Sequence, residues 1–190
     1  MVVENKFIVL EGLDGSGKTT ICKKLCQILN GEIYKTPSYP FSNFRNLIDD
    51  KVNMKARFFF YLSSVLHASE EIKNMLKKSH VVCDRYILST ICYHIAAEQS
   101  LNYFDKNQID ILKPNYTFYL NAEYNIRMRR ISQRENTDLT DTLHQKLHDE
   151  HFQNKVKKEF LKHNEIICVD TNIKSPEEIA HKIYSDIMTI

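Results

Sequence analysis

A chain of 190 residues, 43% hydrophobic and 26% charged, is long enough for one sizeable core and too evenly balanced for a disordered or fibrous protein. Its formal net charge of +2 is too small to predict nucleic-acid or membrane binding, although local basic clusters can still hold phosphates, so partners must be read from sites. No apolar run approaches the ~18 residues of a membrane span, and MVVENKF lacks the basic start and cleavage site of a signal peptide. The expectation is a cytoplasmic chain with neither membrane nor nucleic acid as partner, folded as a single domain over residues 1–190.

In chain order, KFIVL reads as a buried strand and ICKKLCQIL repeats its apolar residues at helical spacing. A second short strand, EIYK, leads into TPSYPFS, where prolines interrupt regular structure before FRNLID resumes a helical pattern. From Met54 to about Lys78 runs a long helical candidate, with room for one break, and VVCDRY is a strand that ends in charges. Ser89 to about Ser100 reads as helix, KPNYTFYLNA contains a strand, and YNIRMRRIS is again helical and basic. Polar RENTDLTD precedes a helix expected over Asp141 to Lys162, then the last strand EIICVD, then a closing helix opened by Ser-Pro-x-Glu. Strands alternating with helices predict an α/β fold: a five-stranded parallel sheet covered on both faces, with ligands at the carboxyl ends of the strands.

The five cysteines contain no C-x-x-C. Cys22 and Cys26 stand one helical turn apart, and Cys83, Cys92 and Cys168 lie among apolar neighbours. All five are expected as buried small side chains, with no metal or disulfide framework.

Between the first strand and helix, GLDGSGKT fits the phosphate-loop pattern G-x-x-x-x-G-K-[ST]. A backbone that wraps phosphate oxygens turns tightly and leaves no room for side chains, hence Gly12, Gly15 and Gly17, with Leu13, Asp14, Ser16 and Thr20 completing an ATP-binding segment. Lys18 can reach the transferred phosphate and Thr19 can ligate Mg2+. The chain has only four glycines, the last being Gly31. The D-x-x-G switch of GTP-binding proteins therefore cannot follow, nor can the Gly-rich acceptor loops of shikimate-type kinases.

The strand ending in CDRY puts Asp84 and Arg85 where an α/β enzyme meets its ligands. Asp84 can orient magnesium through water, and the forked guanidinium of Arg85 can clamp an acceptor phosphate. Arg130 and Arg134 stand four residues apart on one helical face before a polar segment, about 130–142, with the composition of a lid. Arg45 and Pro37, beside the broken segment after strand two, are further acceptor candidates.

EGLDGSGKTT, the DRYxxSxxxY arrangement (Asp84, Arg85, Ser89, Tyr93) and YLNAEYNIRMRRISQR together resemble the thymidylate kinase family of P-loop nucleoside monophosphate kinases, over nearly the whole chain. The resemblance implies that Asp14 contacts a deoxyribose 3′-hydroxyl and Arg85 holds the acceptor's phosphate. It also implies that Tyr93 packs under the sugar, that Arg130 and Arg134 stabilise the moving phosphoryl group, and that the protein is a homodimer. The expected reaction moves the γ-phosphate of ATP to a nucleoside monophosphate, dTMP giving dTDP, with Mg2+.

This chain departs from the family at the acceptor end. The T-R-E-P-like segment is Tyr34-Lys35-Thr36-Pro37, and F-Y-x-x-R is Phe60-Tyr61-Leu62-Ser63-Ser64, so the stacking aromatic Phe60 remains while Ser64 replaces a base-reading arginine. His94 stands where the family often has a base-contacting glutamine. YKTPSYPF holds no acid to take a proton from a nucleoside hydroxyl, which favours an already ionised monophosphate acceptor. A kinase for another nucleotide or nucleotide-like metabolite, with an altered base pocket, and a non-catalytic ATP-binding module are the alternative readings.

Overall fold

The computed structural model describes residues 4–102, 104–133 and 149–189. The strands are β1 (Phe7–Glu11), β2 (Glu32–Lys35), β3 (Val81–Asp84), β4 (Tyr116–Asn121) and β5 (Ile166–Asp170). The helices are α1 (Lys18–Leu29), α2 (Phe41–Lys51), α3 (Met54–Met75), α4 (Ile87–Ala97), α5 (Tyr124–Ser132), α6 (Glu150–Phe160) and α7 (Pro176–Thr189). The strands form one sheet in the order β2-β3-β1-β4-β5, every pair parallel.

The central strand shows why an unbroken apolar run belongs inside a parallel sheet. Every residue of β1 is buried, and alternate side chains feed opposite layers. Phe7 and Val9 join Phe58, Val65, Ile91 and Phe160 beneath α3, α4 and α6, whereas Ile8 and Leu10 join Ile21, Leu25, Ile179 and Ile183 beneath α1 and α7. The chain leaves β1 toward β2 and β3 on one side, then crosses to β4 and β5 on the other. That reversal at β1 opens the crevice at the strand ends where α/β proteins seat ligands.

Differences from the sequence reading have local causes. The long helix α3 is unbroken, started by the Asn53 side chain, which accepts from the amide of Ala56 at 3.0 Å. Helix α4 begins at Ile87, before Ser89, and stops at Ala97, short of Ser100, with a separate turn of 3₁₀ helix at Gln99–Leu101. Of the helix expected over Asp141 to Lys162, residues 141–148 lie outside the described residues, and α6 is capped by Asp149 accepting from Phe152 N at 2.8 Å. The Ser175 and Glu178 side chains exchange hydrogen bonds with each other's backbone amides, so the start of α7 is a capping box. Cys22, Cys26, Cys83 and Cys92 are buried, but Cys168 is exposed: β5 is an edge strand, and there Val169 points into the core while Cys168 and Asp170 do not. No described helix is long and apolar enough to cross a membrane.

Candidate active site

The turn between β1 and α1 is held by contacts that admit only glycine. Gly12 has φ 142° and Gly15 φ 80°, and a Cβ at either would lie 2.6 Å from a backbone carbonyl oxygen, that of Leu120 or of Arg127. Lys18 opens α1 and folds its ammonium back to donate to the carbonyls of Gly12 and Leu13, each at 2.9 Å. Burial, then the nearby charge of Arg85, lowers its pKa to about 8, against the attraction of Asp14, Asp84 and Glu11. Leu13 turns its side chain into the core, so it serves the loop through its backbone. Arg127, 4% exposed, locks the loop from the other side by donating to the carbonyls of Asp14 at 3.2 Å and Ala122 at 3.1 Å.

At the end of β3 the Thr19 hydroxyl donates to Asp84 Oδ2 at 2.6 Å. The register that pairs Leu10 with Asp84 brings this carboxylate beside the phosphate loop. A hydroxyl and a carboxylate in contact are hard oxygen donors, the type that suits Mg2+ when phosphates and water complete its shell. Among the described residues no cluster of three or more His, Cys, Asp or Glu that could hold a metal ion occurs.

Arg85 takes φ 70°, unusual for a side chain of its size. Its backbone is held from three sides: the amide donates to Leu10 O at 3.1 Å, while its carbonyl accepts from Thr36 Oγ1 at 3.0 Å and Cys83 Sγ at 2.9 Å. The guanidinium donates to Asp14 Oδ1 at 2.6 Å and Ser89 Oγ at 3.0 Å and lies 5.2 Å from the Tyr93 ring centroid. Behind it, Glu11 is fully buried and accepts from the amides of Tyr86 at 2.9 Å and Ser89 at 3.1 Å and from the Ser89 hydroxyl. A carboxylate at the first amides of α4 suits the positive end of a helix and accounts for its early start. Burial raises the pKa of Glu11, against the hydrogen bond from Ser89, the charge of Arg85 and the two amides.

Two cavities flank the loop. One, about 220 Å³, runs from Lys18, Thr19, Asp84 and Arg85 past Ser89 and Tyr93 to Ser64 and His94. The other, about 270 Å³, is lined by Ser16, Thr20 and Arg130, and Gly15 and Gly17 line both. Arg130 donates to Thr171 O at 2.6 Å and Gly15 O at 3.4 Å.

The family model described as Thymidylate kinase matches residues 10–183 of the chain. The chain belongs to the thymidylate kinase family. It is 30% identical to a probable thymidylate kinase of Methanocaldococcus jannaschii, over all of this chain and 99% of that one, and 34% identical to that of Methanococcus vannielii, over 94% and 93%. Among solved structures, thymidylate kinase from Candida albicans superposes with a TM-score of 0.76 at 24% identity, covering 98% of this chain and 92% of its own. A deoxyadenosine kinase from M. mycoides reaches 0.68 at 20% identity, covering 97% and 100%, which speaks for a shared fold. Members of the thymidylate kinase family are ATP-dependent nucleoside monophosphate kinases, and the family's reaction converts dTMP to dTDP.

For a thymidylate kinase family member, the sequence-predicted residues are placed unevenly. Asp14, Pro37, Arg45, Ser64, Ser89, Tyr93 and His94 all border the 220 Å³ cavity with Arg85 and Asp84. Phe60 does not: it packs on Phe41, ring centroids 5.5 Å apart, and its neighbour Tyr61 lines the cavity instead. Ser64 donates to Tyr61 O at 2.7 Å. Arg134 and most of the segment expected as a lid lie outside the described residues. Sequence reasoning missed Glu11, whose signal was a lone acid ending an otherwise apolar strand. It also missed the cluster in which Asp49 receives the Tyr61 phenol at 3.0 Å and pairs with Arg57 at 3.1 Å and Arg45 at 3.4 Å. No local motif signals that cluster, because its members come from two helices.

Proposed function

We propose that this chain binds ATP with its phosphates on residues 12–19 and its nucleoside side toward Arg130, and takes dTMP in the cavity opposite. The observation that carries the reading is the pair of cavities meeting at Gly15 and Gly17, which lets a donor and an acceptor approach one phosphate from two sides. Lys18 neutralises charge on the γ-phosphate. Its pKa of about 8 leaves it protonated at neutral pH, and an incoming polyanion favours that form further. Arg85, fixed by Asp14 and Ser89, grips the acceptor's phosphate. Asp14, already at that guanidinium, is placed to meet the sugar's 3′-hydroxyl, with Tyr93 beneath the ring.

Thr19 and Asp84 would hold Mg2+, which when bound would supply neutralisation of phosphate charge. The acceptor arrives ionised, so alignment and electrostatics suffice and no general base is needed. Arg130, held on α5 beside Gly15, is a cation for the transferring phosphoryl, and Arg134, outside the described residues, is the second.

The test is ADP release from magnesium-ATP over a panel of deoxy- and ribonucleoside monophosphates, with Lys18→Ala as the control for contaminating kinases. Lys18-dependent turnover selective for dTMP is expected. Tight ATP binding with no turnover on any acceptor would sink the reading.

A further inference from the structure

Helix α2 brings Arg45 and Asp49 to the border of the acceptor cavity, yet none of its residues is buried. An element without a buried apolar face depends on its few specific contacts for its position. At its far end Asp49 pairs with Arg57 and receives the Tyr61 phenol. Its near end follows the segment after β2, where the Ser38 carbonyl accepts from the amide of Ser42, in the first turn of α2, at 2.8 Å. Whatever fixes Ser38 therefore fixes where α2 starts.

Ser38 is held by two side chains that do not border the cavity, Tyr34 of β2 and Glu71 of α3. The Tyr34 hydroxyl donates to Glu71 Oε2 and lies 2.7 Å from Ser38 Oγ, which itself donates to the same carboxylate oxygen at 3.3 Å. Tyr34 is 8% exposed, and burial, then the bond to Glu71, raises its pKa, so the phenol keeps its proton at neutral pH. His67, one turn before Glu71, places its Nε2 3.4 Å from that oxygen and its ring 5.7 Å from that of Phe41, the first residue of α2. On the other flank of Pro37, Thr36 is stitched to the end of β3: its amide donates to Asp84 O at 3.3 Å and its hydroxyl to Arg85 O at 3.0 Å. Pro37, which borders the cavity, is thus pinned from both sides.

Resting on the acceptor site assigned above, we propose that Tyr34 and Glu71 are positioning residues for the acceptor: through Ser38 they set Pro37 and the head of α2, and with it Arg45, without touching the acceptor themselves. When this clasp is open, Pro37 and Arg45 have to be ordered by the acceptor as it binds, which weakens its binding. Once the acceptor is bound the wall is in place, so the transfer step is unchanged. The donor side is independent of the clasp, since neither Tyr34, Ser38 nor Glu71 borders the cavity lined by Thr20 and Arg130.

The test is steady-state rates with acceptor and ATP varied in turn, dTMP being the expected acceptor, beside hydrogen exchange over residues 36–45 in the ligand-free chain. Tyr34→Phe, which removes only the phenol oxygen, and Glu71→Ala should each raise KM for the acceptor roughly threefold to tenfold, the range for one net hydrogen bond, with kcat and KM for ATP within about twofold of the unaltered chain. Glu71→Gln keeps an oxygen to accept from the phenol and should behave like the unaltered chain. The double variant Tyr34→Phe/Glu71→Ala should be no worse than its worse parent, because both changes open one clasp. Exchange should quicken in Tyr34→Phe, Glu71→Ala and the double variant, and not in Glu71→Gln. Both KM values rising together, losses that multiply in the double variant, or exchange unmoved in Tyr34→Phe overturns the proposal. If Glu71→Ala fails to fold, Tyr34→Phe and Glu71→Gln decide. An unaltered chain that turns over no acceptor sinks the functional reading and this inference with it, whereas turnover with an acceptor KM unmoved in Tyr34→Phe sinks this inference alone.

Discussion

The two ends of the cavity proposed for the acceptor are built differently. The phosphate end is made of backbone: glycines that cannot carry a Cβ, a lysine folded onto the loop carbonyls, and an arginine whose main chain is fixed by three partners. The other end is made of side chains from α2, α3 and α4, with Asp49 at the hub of Arg45, Arg57 and Tyr61. Charge stabilisation needs rigid turns, so its residues sit in two short local segments, the glycine-rich loop and the end of β3. The side-chain end is assembled from residues far apart in sequence, Asp49 on α2 and Arg57 and Tyr61 on α3, which meet only in space.

If the backbone end is as unforgiving as this, Gly15→Ala should be the most damaging change, since its Cβ would meet the Arg127 backbone at 2.6 Å. ATP binding by equilibrium titration should be lost. Lys18→Ala keeps the fold and should lower kcat/KM by roughly 10² to 10³, as when one preorganised charge-stabilising donor is removed. Steady-state rates at saturating ATP would show it.

Glu11→Gln probes the support beneath that end. An amide keeps one acceptor but turns a donor toward Ser89 or an α4 amide, loosening the Ser89–Arg85 contact. The expected result is a rise of about tenfold in KM for the acceptor with little change in KM for ATP, a split that general destabilisation would not give.

At the side-chain end the expected effect appears as stability. Unfolded His94 takes up a proton below its usual 6.5, while the folded one does so only below about 4. Folded stability is therefore complete above 6.5 and falls as pH drops toward 4, by roughly 3 kcal/mol from this residue. His94→Phe should flatten that acid limb in urea titrations at several pH values.

The same contrast governs what could be read from the sequence. Strand and helix order was legible because apolar runs and helical spacing are local signals, and the loop because its glycines are needed at fixed positions. The early start of α4 was not, since its cap is Glu11, 75 residues before Tyr86 on the neighbouring strand. Phe60 and Tyr61 are adjacent, and only the packing of α2 on α3 decides which faces the cavity. Arg57 reads as a surface residue of an amphipathic helix until Asp49 is brought against it.

The most direct measurement is transfer of labelled γ-phosphate from magnesium-ATP to dTMP, followed as labelled dTDP and compared with the Lys18→Ala chain. Lys18-dependent formation of dTDP, well above that from dCMP, is the predicted result. ATP bound at the loop with no label reaching dTMP would contradict it.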